Sequence, residues 1–206
     1  MSLTDQLHED APEAVHDPAP RVTGHLPVEL QGTFVRNGPG IQRAGNDRFH
    51  LLDGYGFVAG LSFDGGKVTF RAKHVDTPLF RSERSAGKQL RRKVFTNKPA
   101  RWSNFGDVNL PNVANHDIYA WGGHLVATDT PGHVLLDPGT LETVGKSPLD
   151  HLKTSALANL CQMPRPDPVS ANLVVFSVQP GLGGDTVTFR ELDNEWKTVA
   201  EKSQSL

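Results

Sequence analysis

A single cysteine, Cys161, is all the thiol chemistry in these 206 residues. It excludes an internal disulfide and any cysteine-based zinc cluster. Long apolar runs are missing as well, and no stretch approaches the ~18 residues expected of a membrane-spanning helix. Neither sign of charge is in excess: 21 Lys and Arg stand against 23 Asp and Glu, a formal net charge of −2. That balance argues against a general nucleic-acid binder. The opening MSLTDQLHEDAPEAVHD is acidic and has no apolar core, so a cytoplasmic rather than a secreted protein is expected.

Familiar catalytic patterns are absent too. There is no G-x-S-x-G, no Walker glycine loop, no H-E-x-x-H and no G-x-G-x-x-G between strand and helix. Asp53 and Asp64 are turn residues, which gives no support to a paired-carboxylate site. Cys161 has no adjacent base and reads as a buried, inert thiol.

Turn formers are abundant. The 20 Gly and 15 Pro together make 35 of 206 residues, about 17%, against roughly 12% in average usage. The length suits one ordinary domain or part of a larger one. Residues 1–24 carry five acids (Asp5, Glu9, Asp10, Glu13, Asp17), three prolines and no helical or strand period, so an extended tail or strap is expected. Residues 25–206 then alternate short apolar runs with glycine turns.

Three stretches share one texture. Residues 56–77 place two runs around Asp64-Gly65-Gly66. Residues 122–145 turn at Pro131-Gly132 and at Asp137-Pro138-Gly139. Residues 172–200 turn at 181–184. Each reads as strand, turn, strand. Recurrent hairpin units of this kind suggest propeller blades, with a β-sandwich as the alternative. Gly181-Leu182-Gly183-Gly184 precedes β-rich sequence, not a helix, so it is a hairpin loop and not a phosphate cradle. Residues 80–101 hold eight bases and one acid, Glu83, with only Phe80 and Phe95 among the aromatics. A solvated loop or short helix is expected there.

The segment PVELQGTFVRNGPG, residues 27–40, brackets a short strand at residues 33–36 that buries Phe34 or Val35. It is followed by His50-Leu51-Leu52-Asp53-Gly54-Tyr55-Gly56-Phe57, by Ala114-Asn115, and by DPGTLETVG. In this order the four segments resemble the N-terminal part of the carotenoid cleavage oxygenase family, also called the retinal pigment epithelial membrane protein family. Its chains read P-x-E-L-x-G-x-x-x-R-N-G-P, then H-x-F-D-G-D-G-M, then A-N-T, then a D-P-x-T-L-E turn. LVVFSVQ followed by VTFRELD fits the strands after its first metal-binding segment.

The resemblance implies an all-β fold: the N-terminal blades of a seven-bladed β-propeller, here an incomplete one. It implies a non-heme Fe(II) on the axis, held by four histidines that glutamates behind them help to orient. It also implies O₂ as co-substrate and cleavage of a carbon–carbon double bond in a carotenoid, apocarotenoid or stilbene-like molecule. Neutral imidazoles suit Fe(II), and an apolar tunnel selects an elongated substrate.

Three departures stand beside the match. The family's first ligand histidine lies in A-H-P-K-x-D, and the corresponding stretch here is Cys161-Gln162-Met163-Pro164-Arg165-Pro166-Asp167. Met163 therefore occupies the histidine's place, and a thioether is a poor ligand for Fe(II). Tyr55 and Phe57 replace the second aspartate and the methionine of the D-G-D-G-M turn. The other three ligand motifs do not occur, so no residue here is assigned to iron by motif. The nine histidines do not rebuild a site either: His116, His124 and His133 read as surface turn residues, and His50 as a turn-fixing one. The alternative is a truncated, metal-free relative, or a binding module that associates with itself or with a downstream half.

Overall fold

The structure is a computed structural model that describes residues 9–96, 110–153 and 158–206. In chain order its strands are β1 (Ala14–Asp17), β2 (Gly32–Ile41), β3 (Arg43–Ala44), β4 (Asp47–Arg48), β5 (Tyr55–Asp64) and β6 (Lys67–His74). After helix α1 (Pro78–Ala86) come β7 (Ile118–Trp121), β8 (His124–Asp129), β9 (Gly132–Leu136) and β10 (Thr143–Lys146). The last group is β11 (Asn159–Leu160), β12 (Arg165–Pro166), β13 (Leu173–Gln179), β14 (Thr186–Leu192) and β15 (Thr198–Ser205).

These strands form three antiparallel sheets and the small β3–β4 hairpin. The spatial orders are β1-β6-β5-β2, then β10-β9-β8-β7, then β11-β13-β14-β15 with β12 also on β13. Each of the three expected hairpin units is the heart of one sheet. In the first, Asp64 pairs with Lys67 across Gly65 and Gly66. Both glycines have positive φ, 54° and 79°, as a two-residue turn matched to strand twist requires.

The sheets stack face against face, as propeller blades do. Val58 of β5 packs with Leu125, Ala127, Val134 and Leu136 of the second sheet. The opposite face of that sheet presents Val126 and Leu135 to Leu173, Val175 and Leu192 of the third. Period-two alternation makes this possible: neighbouring residues on β8 and β9 serve different interfaces, so both strands are buried along almost their whole length.

Some expectations need correction. The strand at residues 33–36 is longer, running from Gly32 through Gly38-Pro39-Gly40 to Ile41 against β5. Proline is tolerated because β2 is an edge strand with one partner, and the ladder slips just after Pro39. Phe34 is 62% exposed, so the strand turns Val35 inward instead. The extended segment also joins the fold, since β1 pairs with β6 and forms the outer strand of the first sheet. Its backbone N–H and C=O groups satisfy an edge, which needs no apolar period.

The basic stretch contains α1. Thr77 caps it by accepting a hydrogen bond from the Phe80 N–H at 3.1 Å, Pro78 opens it, and Gly87 closes it at φ 61°. Lys98 and Arg101 of that stretch lie outside the described residues.

Candidate functional site

The motifs that are far apart in sequence meet at one turn. Ala114 has φ 52°, a left-handed conformation that costs a non-glycine residue strain and must be held in place. The Asp129 carboxylate accepts from the N–H groups of Val113 at 2.8 Å and Ala114 at 3.2 Å. Asn37 donates to the carbonyls of Ala114, at 2.8 Å, and Asp117, at 3.1 Å. Asn115 donates to those of Leu52, at 2.9 Å, and Gly54, at 2.6 Å. Gly56 completes the knot: its N–H donates to the Val113 carbonyl at 2.7 Å, and a Cβ there would collide with the Ala114 carbonyl. The R-N-G-P, D-G-Y-G and A-N segments are thus three parts of one backbone clamp. Burial pushes the Asp129 carboxyl up, against the pull of the three N–H groups it accepts from.

Beside the clamp lies a cavity of about 520 Å³. Its walls come from all three sheets: Asn37 and Gly38 of β2, His116 ahead of β7 with Thr130 after β8, and Gln162 between β11 and β12. β2, β7 and β11 are the edge strands at one end of their sheets, while β1, β10 and β15 are the edges at the other. In a propeller, the side where the inner edges of the blades converge is the side of the central channel. Leu52, Val94, Phe95 and Leu110 give the cavity an apolar wall.

The segment 161–167 is held by hydrogen bonds and one ion pair. Thr128 Oγ1 donates to the Gln162 carbonyl at 2.6 Å, and the Gln162 amide donates to the Thr130 hydroxyl. Arg165 pairs with Asp117 at 2.9 Å. Met163 is 58% exposed and is not part of the cavity wall. Among the described residues no group of three or more His, Cys, Asp or Glu could hold a metal ion. The donors among the described residues therefore do not fit a ferrous ion.

The histidines divide by environment. His50 does fix its turn: its Nδ1 accepts from the Leu52 N–H at 3.2 Å at the start of the short 3₁₀ segment Leu51–Asp53. His124 is half-buried and contacts the Gly122 carbonyl at 2.8 Å. His116 is exposed, on the cavity wall. His133 is not a surface turn residue. It is 1% exposed, with Nε2 at 2.9 Å from the Cys161 carbonyl. The alternation of β9 decides this, since every residue of that strand is covered by one sheet or the other. Cys161 is buried, as expected, and desolvation pushes its thiol up.

Burial lowers the His133 imidazole from 6.5 to about 4, with the Cys161 hydrogen bond opposing in part and Lys153 adding to the depression. The unfolded chain takes up this proton near pH 6.5, whereas the folded one resists until about pH 4. Stability is therefore full above pH 6.5, falls as the pH drops towards 4 and levels off below it, a loss of about 3 kcal/mol. Urea unfolding at pH 7 and pH 4.5 measures it. His133→Gln is expected to flatten the difference, and an unchanged difference would refute the assignment.

A buried ion pair also lies within the basic stretch. Glu83 is fully buried, paired with Lys93 at 2.9 Å and bonded to the Tyr55 hydroxyl. Its other oxygen accepts from the N–H groups of Leu90, at 2.7 Å, and Arg91, at 3.1 Å. Lys93 also lies over the rings of Phe49 and Tyr55, at 4.3 and 4.6 Å. The only available signal was that Glu83 is the sole acid among eight bases.

Comparison with known proteins gives this geometry its relatives. The chain is 36% identical over 195 residues to apocarotenoid-15,15'-oxygenase of Synechocystis, covering 89% of this chain and 39% of that protein. It is 34% identical over 129 residues to isoeugenol monooxygenase of Pseudomonas putida, covering 61% and 26%. A solved variant of the Synechocystis apocarotenoid oxygenase superposes with a TM-score of 0.86 at 32% identity, over 98% of this chain and 44% of that one. The cobalt-substituted form of the same enzyme gives 0.85 with the same coverage. The three sheets are accordingly blades of a β-propeller, and the chain spans about two fifths of the length of the Synechocystis oxygenase. The model of the family described as retinal pigment epithelial membrane protein matches residues 8–205, and the chain belongs to that family.

Proposed function

We propose that this chain supplies three blades and one wall of the substrate cavity to an oxygenase that cleaves a carbon–carbon double bond of an apocarotenoid or stilbene-like molecule. The observation that carries this reading is the axis-side cavity, apolar on one wall, into which the clamp made by Asn37, Gly56, Asn115 and Asp129 sets its residues. Fe(II) and O₂ supply the oxidation in such a protein. The residues of this chain shape the cavity, hold the Ala114 turn against strain and keep water from the apolar wall. No step of the oxidation is assigned to them, because the donors among the described residues do not make a metal site.

Two outer faces remain open. Phe34 on the first sheet is exposed, and so are Phe176 and Phe189, which pair across β13 and β14 on the third. In a ring of blades such faces are covered by neighbouring blades, so this arc pairs either with further blades or with a second copy.

A second reading is a metal-free relative that binds an apolar ligand or a polypeptide, and Met163 favours it. Anaerobic loading with Fe(II), elemental analysis and O₂ uptake with a stilbene separate the two. The chain by itself is expected to self-associate in sedimentation, to bind the stilbene, to retain well under one iron and to consume no O₂. Failure to bind any stilbene or apocarotenoid would count against the oxygenase ancestry of the cavity. Stoichiometric iron in this chain would reject the metal-free reading.

A further inference from the structure

We infer that this chain associates head to tail with a second copy, the outer face of its first sheet against the outer face of the other's third. Each contact brings the second copy's inner strand edges to the cavity and gives it the wall that one chain leaves open. The inference rests on the reading of that cavity as a substrate site between blades.

Cross-strand register shows what the two faces present. On the first sheet Asp17, Phe70, Leu61 and Phe34 are register partners in turn, across β1, β6, β5 and β2. Directly paired residues of an antiparallel sheet point to the same face. Phe34 is exposed while Val35 packs towards the second sheet, so this row lies on the outer side. On the third sheet Lys202, Phe189 and Phe176 are partners across β15, β14 and β13. Leu173, Val175 and Leu192 of the same strands face the second sheet, which leaves Phe176 and Phe189 outside, 39% and 50% exposed.

The two rows match in order and oppose in sign. Each carries a charge on its outer strand and apolar side chains inward from it, with an acid on the first face and a base on the third. β1 and β15 are both outer strands, so stacking with inner edges together sets Asp17 of one copy near Lys202 of the other. Lys202 is exposed and has no ion pair among the described residues. The next charges inward, Arg36 on β2 and Glu191 on β14, are again of opposite sign. A hollow of about 200 Å³ beside Arg36, Phe57 and Ala59 on the first face is open to an aromatic ring.

Both halves of this match belong to one chain, so a second copy supplies each of them without any other partner. Contacts between unlike faces close into rings where the rotation allows. Two copies of three sheets make six blades, within the roughly 4–8 at which propellers close.

Sedimentation of the full chain over a wide concentration range tests the contact. The variants are Asp17→Lys, Lys202→Glu and Phe189→Thr, with near-UV circular dichroism to check that each is folded. The parent chain is expected to dimerise. Each charge reversal weakens association by about tenfold or more, because it sets like charges together. Phe189→Thr weakens it by about as much through lost apolar contact.

An equimolar mixture of Asp17→Lys and Lys202→Glu is expected to recover the parent's affinity, since every contact in the mixed pair then joins opposite charges. A folding defect in either variant could not produce that recovery. Stilbene binding follows association: weaker in Lys202→Glu alone and regained in the mixture. A monomeric parent chain overturns the inference, and if it still binds stilbene the cavity reading stands. A dimer indifferent to all three variants, or a mixture no tighter than its parts, places the contact elsewhere, such as the open edge of β15, and overturns it too. A dimer with the expected pattern that binds neither stilbene nor apocarotenoid upholds the contact and removes the substrate reading of the cavity.

Discussion

Replacing Glu83 by Gln is expected to destabilise the fold by about 3–5 kcal/mol, the cost of leaving one member of a buried ion pair alone. The side chains of Glu83 and Lys93 are 0% and 1% exposed, and four groups share the carboxylate: the Lys93 ammonium, the Tyr55 hydroxyl and two backbone N–H groups. The amide of Gln keeps the shape but offers one acceptor oxygen and no charge. The ammonium is then stranded between the Phe49 and Tyr55 rings, whose faces supply only part of what a carboxylate gives. For a chain of this size the loss corresponds to a melting temperature lower by roughly 10 °C.

The double variant Glu83→Gln/Lys93→Met separates pair from packing. Removing both charges restores much of the stability, since the methionine fills the lysine's apolar path and nothing ionic remains to be desolvated. Denaturant unfolding of the three proteins decides it. A loss below about 1 kcal/mol in the single variant is the range of exposed pairs and would mean that water reaches this one.

Gly56→Ala is expected to cost about 3 kcal/mol or more. The position does not need positive φ. It needs the absence of a Cβ, because the added carbon would be driven into the backbone carbonyl of Ala114, which is itself pinned in a left-handed turn. Neither side can yield cheaply: β5 is held in register by β2 and β6, and Ala114 by Asn37 and Asp129. Gly60→Ala, four residues along the same strand, is the control. There a Cβ meets Val35 Cγ1 at 3.5 Å, ordinary contact, so little change is expected. Urea unfolding of both variants tests the difference, and similar losses at the two positions would show that strand glycine in general, and not the close approach, governs the effect.

Much of the candidate site was legible once its parts were recognised as motifs. Asn37, Gly54, Gly56, Ala114 and Asn115 all lay in the quoted segments, and all of them serve the same clamp. What the segments could not show was that they clamp one another: the hydrogen bonds run between residues 61 to 77 positions apart. Asp129 was not singled out, because an aspartate closing a strand before Thr130-Pro131-Gly132 looks like any turn former. His133 was misplaced for the reverse reason. It follows a Pro-Gly turn, the usual setting of a surface residue, yet its strand is sandwiched between two sheets and covered on both faces.

By itself the sequence determined the strand-turn-strand units and their turns, because glycine pairs, Asp-Pro-Gly and period-two alternation act within a few residues. It also set a thioether, a poor ligand for Fe(II), at position 163, which is a property of the side chain alone. Only the tertiary structure decided which edges of the three sheets border one cavity, that Glu83 and Lys93 are an internal pair within a basic stretch, and that His116 and His133 part company. Those outcomes depend on which faces stack and which edges converge, and stacking is fixed by contacts among residues that the linear order keeps apart.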